Sequence, residues 1–252
     1  MSAKKPQSPP GFWYRVIRAL LRPPLMLLTK RDWRGGEYLH QPGGVVLAMN
    51  HLSWFDPIVA AHFANDNGRP VRFLAKAELF KVPVLGRLLK SAGQIPVHRG
   101  STDATASLHS AIQAVQDGQC VVIYPEGTLT RDKDLWPMSA KSGVARIALT
   151  TGVPVIPAAQ WGPQDVLAPY GGKIPKLLPR KTMHVWAGPA VDLDDLRDQP
   201  LSVEVLREAT NRIMSAVTNL LGEIRGEAPP TTTLDRRIAL SEQSDEPKGG
   251  AS

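Results

Sequence analysis

Between residues 33 and 190 the chain alternates short apolar runs with stretches of helical spacing, a pattern of strands and helices in turn. The runs Val45 to Met49, Val71 to Ala75, Gln94 to Val97, Cys120 to Tyr124, Val155 to Gln160 and Met183 to Trp186 read as strands. Helical spacing begins near Pro57 and recurs over Val84 to Lys90, Ala104 to Val115 and Lys141 to Thr150. This alternation predicts an α/β fold with a mixed central sheet flanked by helices. A last helix is expected from Ser202 to about Ile224, with Val203, Leu206, Ile213, Val217, Leu220 and Leu221 as its apolar stripe. At the other end Trp13, Val16, Ile17, Leu20 and Leu21 mark an amphipathic helix rimmed by Arg15, Arg18 and Arg22, and Leu25 to Leu28 continue its apolar surface after Pro23 and Pro24. Beyond Gly226 periodicity is lost in a stretch rich in Pro, Thr, Ser, Glu and Gly, and disorder is expected there. The expected organisation is a helical segment over 1–32, one domain over 33–225 and a disordered tail over 226–252.

Composition narrows the partners. A chain of 252 residues, 42% hydrophobic, suits one sizeable α/β domain, and its net charge of +7 calls for an anionic partner. Zinc spacings, aromatic RNA-binding strands and dense Lys/Arg blocks are missing, so no nucleic acid is expected and a membrane surface or phosphate ligand moves ahead. Cys120 is the sole cysteine, which excludes an internal disulfide and zinc–cysteine sites, and no metal is expected. Lys4 and Lys5 ahead of an apolar region resemble a signal peptide, but Arg15, Arg18 and Arg22 interrupt the run, so no cleavage is expected. The same charges and the proline pair argue against a spanning helix, which needs about 20 mostly apolar residues. The segment suits the headgroup region of an anionic membrane, with Trp13 and Tyr14 at the interface, or else a helix packed on its own domain.

Three stretches carry candidate chemistry. In Asn50-His51-Leu52-Ser53-Trp54-Phe55-Asp56-Pro57 an imidazole and a carboxylate lie five positions apart at a strand-to-helix junction. Histidine titrates near neutrality and a carboxylate can orient its ring, the requirements of a general base. Asp56 is equally placed to cap the helix that starts at Pro57, and Asn50 and Ser53 to be turn residues. In Gly93-Gln94-Ile95-Pro96-Val97-His98-Arg99 a short strand delivers an arginine suited to phosphate, or one that is simply solvated. In Tyr124-Pro125-Glu126-Gly127-Thr128-Leu129-Thr130-Arg131 a glycine turn would let backbone amides and the Thr128, Thr130 and Arg131 donors approach a ligand, or close a plain β-turn. A fourth stretch, Val153 to Pro157, carries no titratable group and suits a pocket wall or ordinary core.

Taken in order, these stretches resemble the glycerolipid acyltransferase family, whose bacterial members include 1-acylglycerol-3-phosphate O-acyltransferases. The resemblance spans residues 50–157: Asn50, His51, Ser53 and Asp56; Gly93, Ile95, Val97 and Arg99; Glu126, Gly127 and Thr128; and Val153 to Pro157. Where family members often place Arg-Ser after the Glu-Gly-Thr triplet, this chain has Leu129 and Thr130, with Arg131 one step beyond. The resemblance implies transfer of an acyl group from acyl-CoA or acyl-carrier protein, as co-substrate without further cofactor, to a lysophospholipid hydroxyl. It implies His51 as base and Asp56 as its orienter. Lys76, Arg99, Glu126, Gly127, Thr128 and Arg131 would hold the acceptor, with Asn50, Ser53 and Pro157 in support. It further implies a peripheral or monotopic protein at the cytoplasmic face of the cell membrane. An aminolipid or glycolipid acceptor, a hydrolase using Ser53, and a non-catalytic lipid-binding protein are the other readings.

Overall fold

A computed structural model describes residues 11–97, 101–170 and 174–239, with the backbone alone at 101–104. Helix α1 (Phe12–Leu28) leads into strand β1 (Thr29–Arg34), a 3-10 turn at Gly36–Leu39, β2 (Val45–Met49), α2 (Asp56–Asp66) and β3 (Val71–Lys76). A second 3-10 turn at Ala77–Lys81 precedes α3 (Leu85–Ser91), β4 (Ile95–Val97), α4 (Ser101–Gln116) and β5 (Cys120–Ile123). The chain continues through α5 (Gly143–Thr151), β6 (Val155–Trp161), a short α6 (Pro163–Val166), β7 (Lys181–Ala187), a short α7 (Asp194–Arg197) and a long α8 (Val203–Arg225).

Among the described residues the strands form one seven-stranded sheet in the order β1-β7-β6-β2-β5-β3-β4. β6, β2, β5, β3 and β4 run parallel, whereas β7 is antiparallel to β6 and β1 is parallel to β7. The mixed sheet flanked by helices is therefore present. β2 explains why its sequence is an unbroken apolar run: Val45, Leu47 and Met49 pack into one core with Val59 and Phe63 of α2. Val46 and Ala48 face the other core, with Ile147 of α5 and Leu206 and Ile213 of α8. A strand covered on both faces has no polar side to show. Ser202 caps α8 by accepting a bond from the Val205 amide, and Gly226 ends it in the left-handed conformation. Val203, expected in the buried stripe of α8, is exposed, and Val205 and Ala209 are buried instead.

Two expectations, on the first boundary and on the tail, need correction. The boundary at residue 32 cuts through β1, which begins at Thr29 and pairs with β7 as part of the sheet. α1 runs through Pro23 and Pro24 to Leu28, in line with the apolar surface expected to continue past the proline pair. Both prolines are exposed, so the helical bonds that lack an amide donor face solvent. The tail does not become irregular immediately: the Ser139 amide donates to the Leu234 carbonyl at 2.9 Å, the Arg236 amide donates to Ser139 Oγ at 3.0 Å, and Ala239 is buried. Residues 240–252 lie outside the described residues.

Candidate active site

Parallel strands β2, β5, β3 and β6 all end on one edge of the sheet, where ligands of open α/β folds commonly bind. The chain leaving β2 at this edge is fixed from both sides. Asn50 Nδ2 donates to the Gln160 carbonyl at 3.1 Å, and its Oδ1 accepts from the Gln160 amide at 2.8 Å, so it ties the ends of β2 and β6 together. The His51 amide donates to Glu126 Oε1 at 3.1 Å, and the His51 carbonyl accepts from the Thr130 amide at 2.8 Å. His51 is thereby held between neighbouring strand ends before its side chain makes any contact.

The side chain is then oriented by a carboxylate. His51 Nδ1 lies 2.8 Å from Asp56 Oδ2, which also accepts from the amides of Leu52 at 2.6 Å and Ser53 at 2.9 Å. Asp56 begins α2, followed by Pro57 in the first turn, so its position satisfies both a helix start and a ring orienter. Burial pushes the Asp56 carboxyl above its usual range, and the bond and charge of His51 with the two amide bonds hold it back. With Nδ1–H donating to Asp56, the lone pair of His51 lies on Nε2, the nitrogen free to accept a proton. The ring is further held by stacking on Tyr124, with centroids 4.1 Å apart and planes 13° from parallel, and by the edge of Trp54 at 6.2 Å. Neither Tyr124 nor Trp54 was expected in the site. Tyr124 was legible only as the end of an apolar run.

Glu126 takes a different place from the acceptor contact expected of it. It is fully buried, with Oε1 on the His51 amide and Oε2 accepting from the Met138 amide at 2.9 Å. Its carboxyl is pushed up to about 8 by burial, against the opposing bonds from Met138 and His51. A carboxyl raised in this way keeps its proton in the folded chain while the unfolded chain has released it, so its contribution to stability falls as pH rises from about 4.5 to about 8. Urea unfolding midpoints measured from about pH 5 to about pH 8 should accordingly drop more in the wild type than in Glu126→Gln, which cannot ionise. Equal slopes would remove the buried proton from the account.

The remaining candidates divide. Gly127 turns at φ +72°, a conformation that favours glycine, and its amide donates to the Tyr124 carbonyl at 2.9 Å. Thr128 follows on the partly exposed rim, while Leu129 and Thr130 turn inward; Thr130 Oγ1 donates to the Trp136 carbonyl at 2.6 Å. Arg131 returns toward the surface with its guanidinium 4.7 Å from the ring of Tyr170, whose hydroxyl donates to the Leu129 carbonyl at 2.8 Å. Lys76 ends β3 with Nζ 5.4 Å over the Trp54 ring. Lys141, unnoticed in sequence, runs past Gly127: a Cβ there would sit 3.5 Å from its Nζ. Arg99 and His98 lie outside the described residues. Gly93 has φ +67°, a backbone conformation that favours glycine, and it lies against the Arg72 guanidinium. Pro157 is a buried residue of β6, opposite Ala48. Ser53 is buried, and its Oγ donates to the Leu167 carbonyl at 2.6 Å and accepts from the Phe55 amide at 3.0 Å.

The structure thus brings a carboxylate-oriented histidine to the carboxyl edge of a mixed sheet, beside a glycine turn and the basic side chains of Lys76, Arg131 and Lys141. Residues 30–161 match the family described as Acyltransferase, and the chain belongs to that family. It is 27% identical over 190 residues to the 1-acyl-sn-glycerol-3-phosphate acyltransferase of Bacillus subtilis, covering 75% of this chain and 88% of that one. The enzyme of the same name from Neisseria gonorrhoeae is 32% identical over 119 residues, 47% of this chain and 44% of that one. The lyso-ornithine lipid O-acyltransferase of Pseudomonas aeruginosa is also 32% identical, over 142 residues, 54% of this chain and 51% of that one. The chain thus spans about half the length of the latter two. In fold it resembles the crystal structure of a 1-acyl-sn-glycerophosphate acyltransferase from Thermotoga maritima, with a TM-score of 0.66 and 21% identity, covering 86% of this chain and 81% of that one.

Proposed function

We propose that this chain transfers a fatty acyl group from acyl-CoA, or acyl-carrier protein, to the free hydroxyl of 1-acylglycerol 3-phosphate, giving phosphatidic acid. The observation that carries this reading is the 2.8 Å bond between His51 Nδ1 and Asp56 Oδ2, which leaves Nε2 as the base. Nε2 takes the proton of the acceptor hydroxyl as its oxygen attacks the thioester carbonyl. The tetrahedral intermediate then expels the thiolate, which recovers that proton from the imidazolium while Asp56 supports the charge. Gly127, Thr128, Arg131 and Lys76 are the described groups offered to the acceptor's glycerol and phosphate, and Arg99 is proposed to join them. The buried, doubly bonded Ser53 hydroxyl counts against a hydrolase built on it.

The exposed side of α1 carries Phe12, Trp13, Leu20 and Leu21, while Tyr14 hydrogen bonds Asn65 and Arg22 pairs with Asp66 on the docked side. None of the described helices is long and apolar enough to cross a membrane. We place the protein peripherally on an anionic, cytoplasmic leaflet, with α1 in the headgroup region.

A second acceptor class is favoured by one observation: Leu129 and Thr130 carry no charge and turn inward, and Arg131 is the one cation in the Glu126–Arg131 turn. A lyso-aminolipid would need less positive charge than a phosphate monoester. Thiol release from palmitoyl-CoA, measured with lysophosphatidate, with lyso-ornithine lipid and with neither, separates these readings. Lysophosphatidate-dependent release is expected. Release with the aminolipid alone would move the assignment to the second class, and release without acceptor would make the protein a thioesterase.

A further inference from the structure

Beside the site the chain exposes apolar side chains that its own fold does not use. After β3 the segment 77–85 passes through the 3-10 turn into a tight reversal at Pro83-Val84-Leu85, where the Leu85 amide donates to the Pro83 carbonyl at 2.8 Å. Val84 is held at φ 66° and ψ −60°, a strained region for a β-branched residue, and the residue is 65% exposed. Leu79, Val82 and Leu85 are exposed around it. The turn is braced rather than loose: Gly86 is buried, and a Cβ there would strike the Phe80 carbonyl. Basic residues Lys81, Arg87 and Lys90 are exposed on the flanks, against the single acid Glu78. The patch is joined to the reaction centre by direct contacts. Lys76, at the root of the turn, lies over Trp54, which is 55% exposed and meets the His51 ring edge-on.

We infer that the 79–85 turn is a second membrane contact, separate from α1, which inserts its apolar tip into an anionic bilayer and holds the mouth of the His51 site against the lipid. Contiguous exposed apolar side chains are uncommon on a soluble surface and mark interaction sites. A convex tip ringed by lysine and arginine suits headgroups above and acyl chains below, because the cationic ends reach phosphates while their stems cover apolar surface. A partner protein would more naturally meet a flat or grooved patch. With the turn inserted, an acceptor can approach His51 past Trp54 and Lys76 without leaving the bilayer, while a thioester arrives from water. The inference rests on the reading that the chain works at a bilayer, but its readout is contact, not turnover, so it can fail or stand independently of the acceptor assigned above.

The test places an environment-sensitive dye on a Val84→Cys variant of the full chain. The native Cys120 is fully buried and its thiol is pushed up to about 12 by that burial, so labelling goes to position 84. With vesicles of phosphatidylcholine and phosphatidylglycerol the dye should shift to the blue and be quenched by nitroxide-bearing lipids, while a dye on Arg207→Cys, on exposed α8, should do neither. The double variant Val82→Asp/Val84→Asp should partition into the same vesicles about tenfold or more weakly. A dye at 84 that stays in water while the protein is vesicle-bound, or a protein that binds no vesicle, overturns the inference. So does a dye that responds to acyl-carrier protein and not to lipid, which would make the turn a protein contact.

Discussion

Replacing His51 by alanine should lower acceptor-dependent thiol release from palmitoyl-CoA by about 10²- to 10⁴-fold, the usual contribution of a positioned general base. The protein should remain folded, because the backbone at position 51 is held by Glu126 and Thr130 rather than by the ring. Circular dichroism and the unfolding midpoint separate loss of base from loss of fold. A folded variant retaining more than about a tenth of the wild-type rate would mean that proton removal is done elsewhere.

Asp56→Asn is the second large effect, and it differs in kind. The carboxylate accepts three bonds through one oxygen, from the His51 ring and the amides of Leu52 and Ser53. An amide can present its oxygen to the backbone donors or to the ring, and where its NH₂ group faces the ring it donates to Nδ1 and selects the other tautomer. The proton then sits on Nε2, and the base is lost without any change in shape. A fall in kcat of about 10³- to 10⁴-fold is expected, with the acceptor KM changed far less. Competition for the Leu52 and Ser53 amides should also cost about 1–3 kcal/mol of stability. A loss in KM alone, with kcat preserved, would assign Asp56 to substrate binding and would overturn its role as orienter.

Much of this was legible because the relevant signals are local. The His51 to Asp56 spacing, the proline after the acid and the apolar runs of β2, β5 and β6 each report a structure formed within a few residues. What escaped depends on partners distant in the chain. β1 reads Thr-Lys-Arg-Asp-Trp-Arg, too polar for a core strand, because among the described residues it lies at the sheet edge, paired with β7 alone. Glu126 looked like a ligand residue because its charge is visible in sequence, whereas the amides of His51 and Met138 that occupy it are not. Tyr124 counted as an apolar residue ending a strand, and only the return of the chain brings its ring parallel to His51. Val84 and Leu85 were read only as the start of a helical segment, and their exposure was not legible because hydrophobicity itself leaves no trace of it.

The glycine turn after β5 has a further consequence for how such a site can diversify. Its root is tied to the base, through Glu126 and the Thr130 amide, while its outer residues, Gly127, Thr128 and Arg131 with neighbouring Tyr170, reach toward solvent. On the function proposed above, replacing a rim residue would change what is gripped without loosening what reacts. An ancestral chain with this arrangement could exchange one headgroup for another by drift at a few outer positions, keeping its chemistry intact throughout.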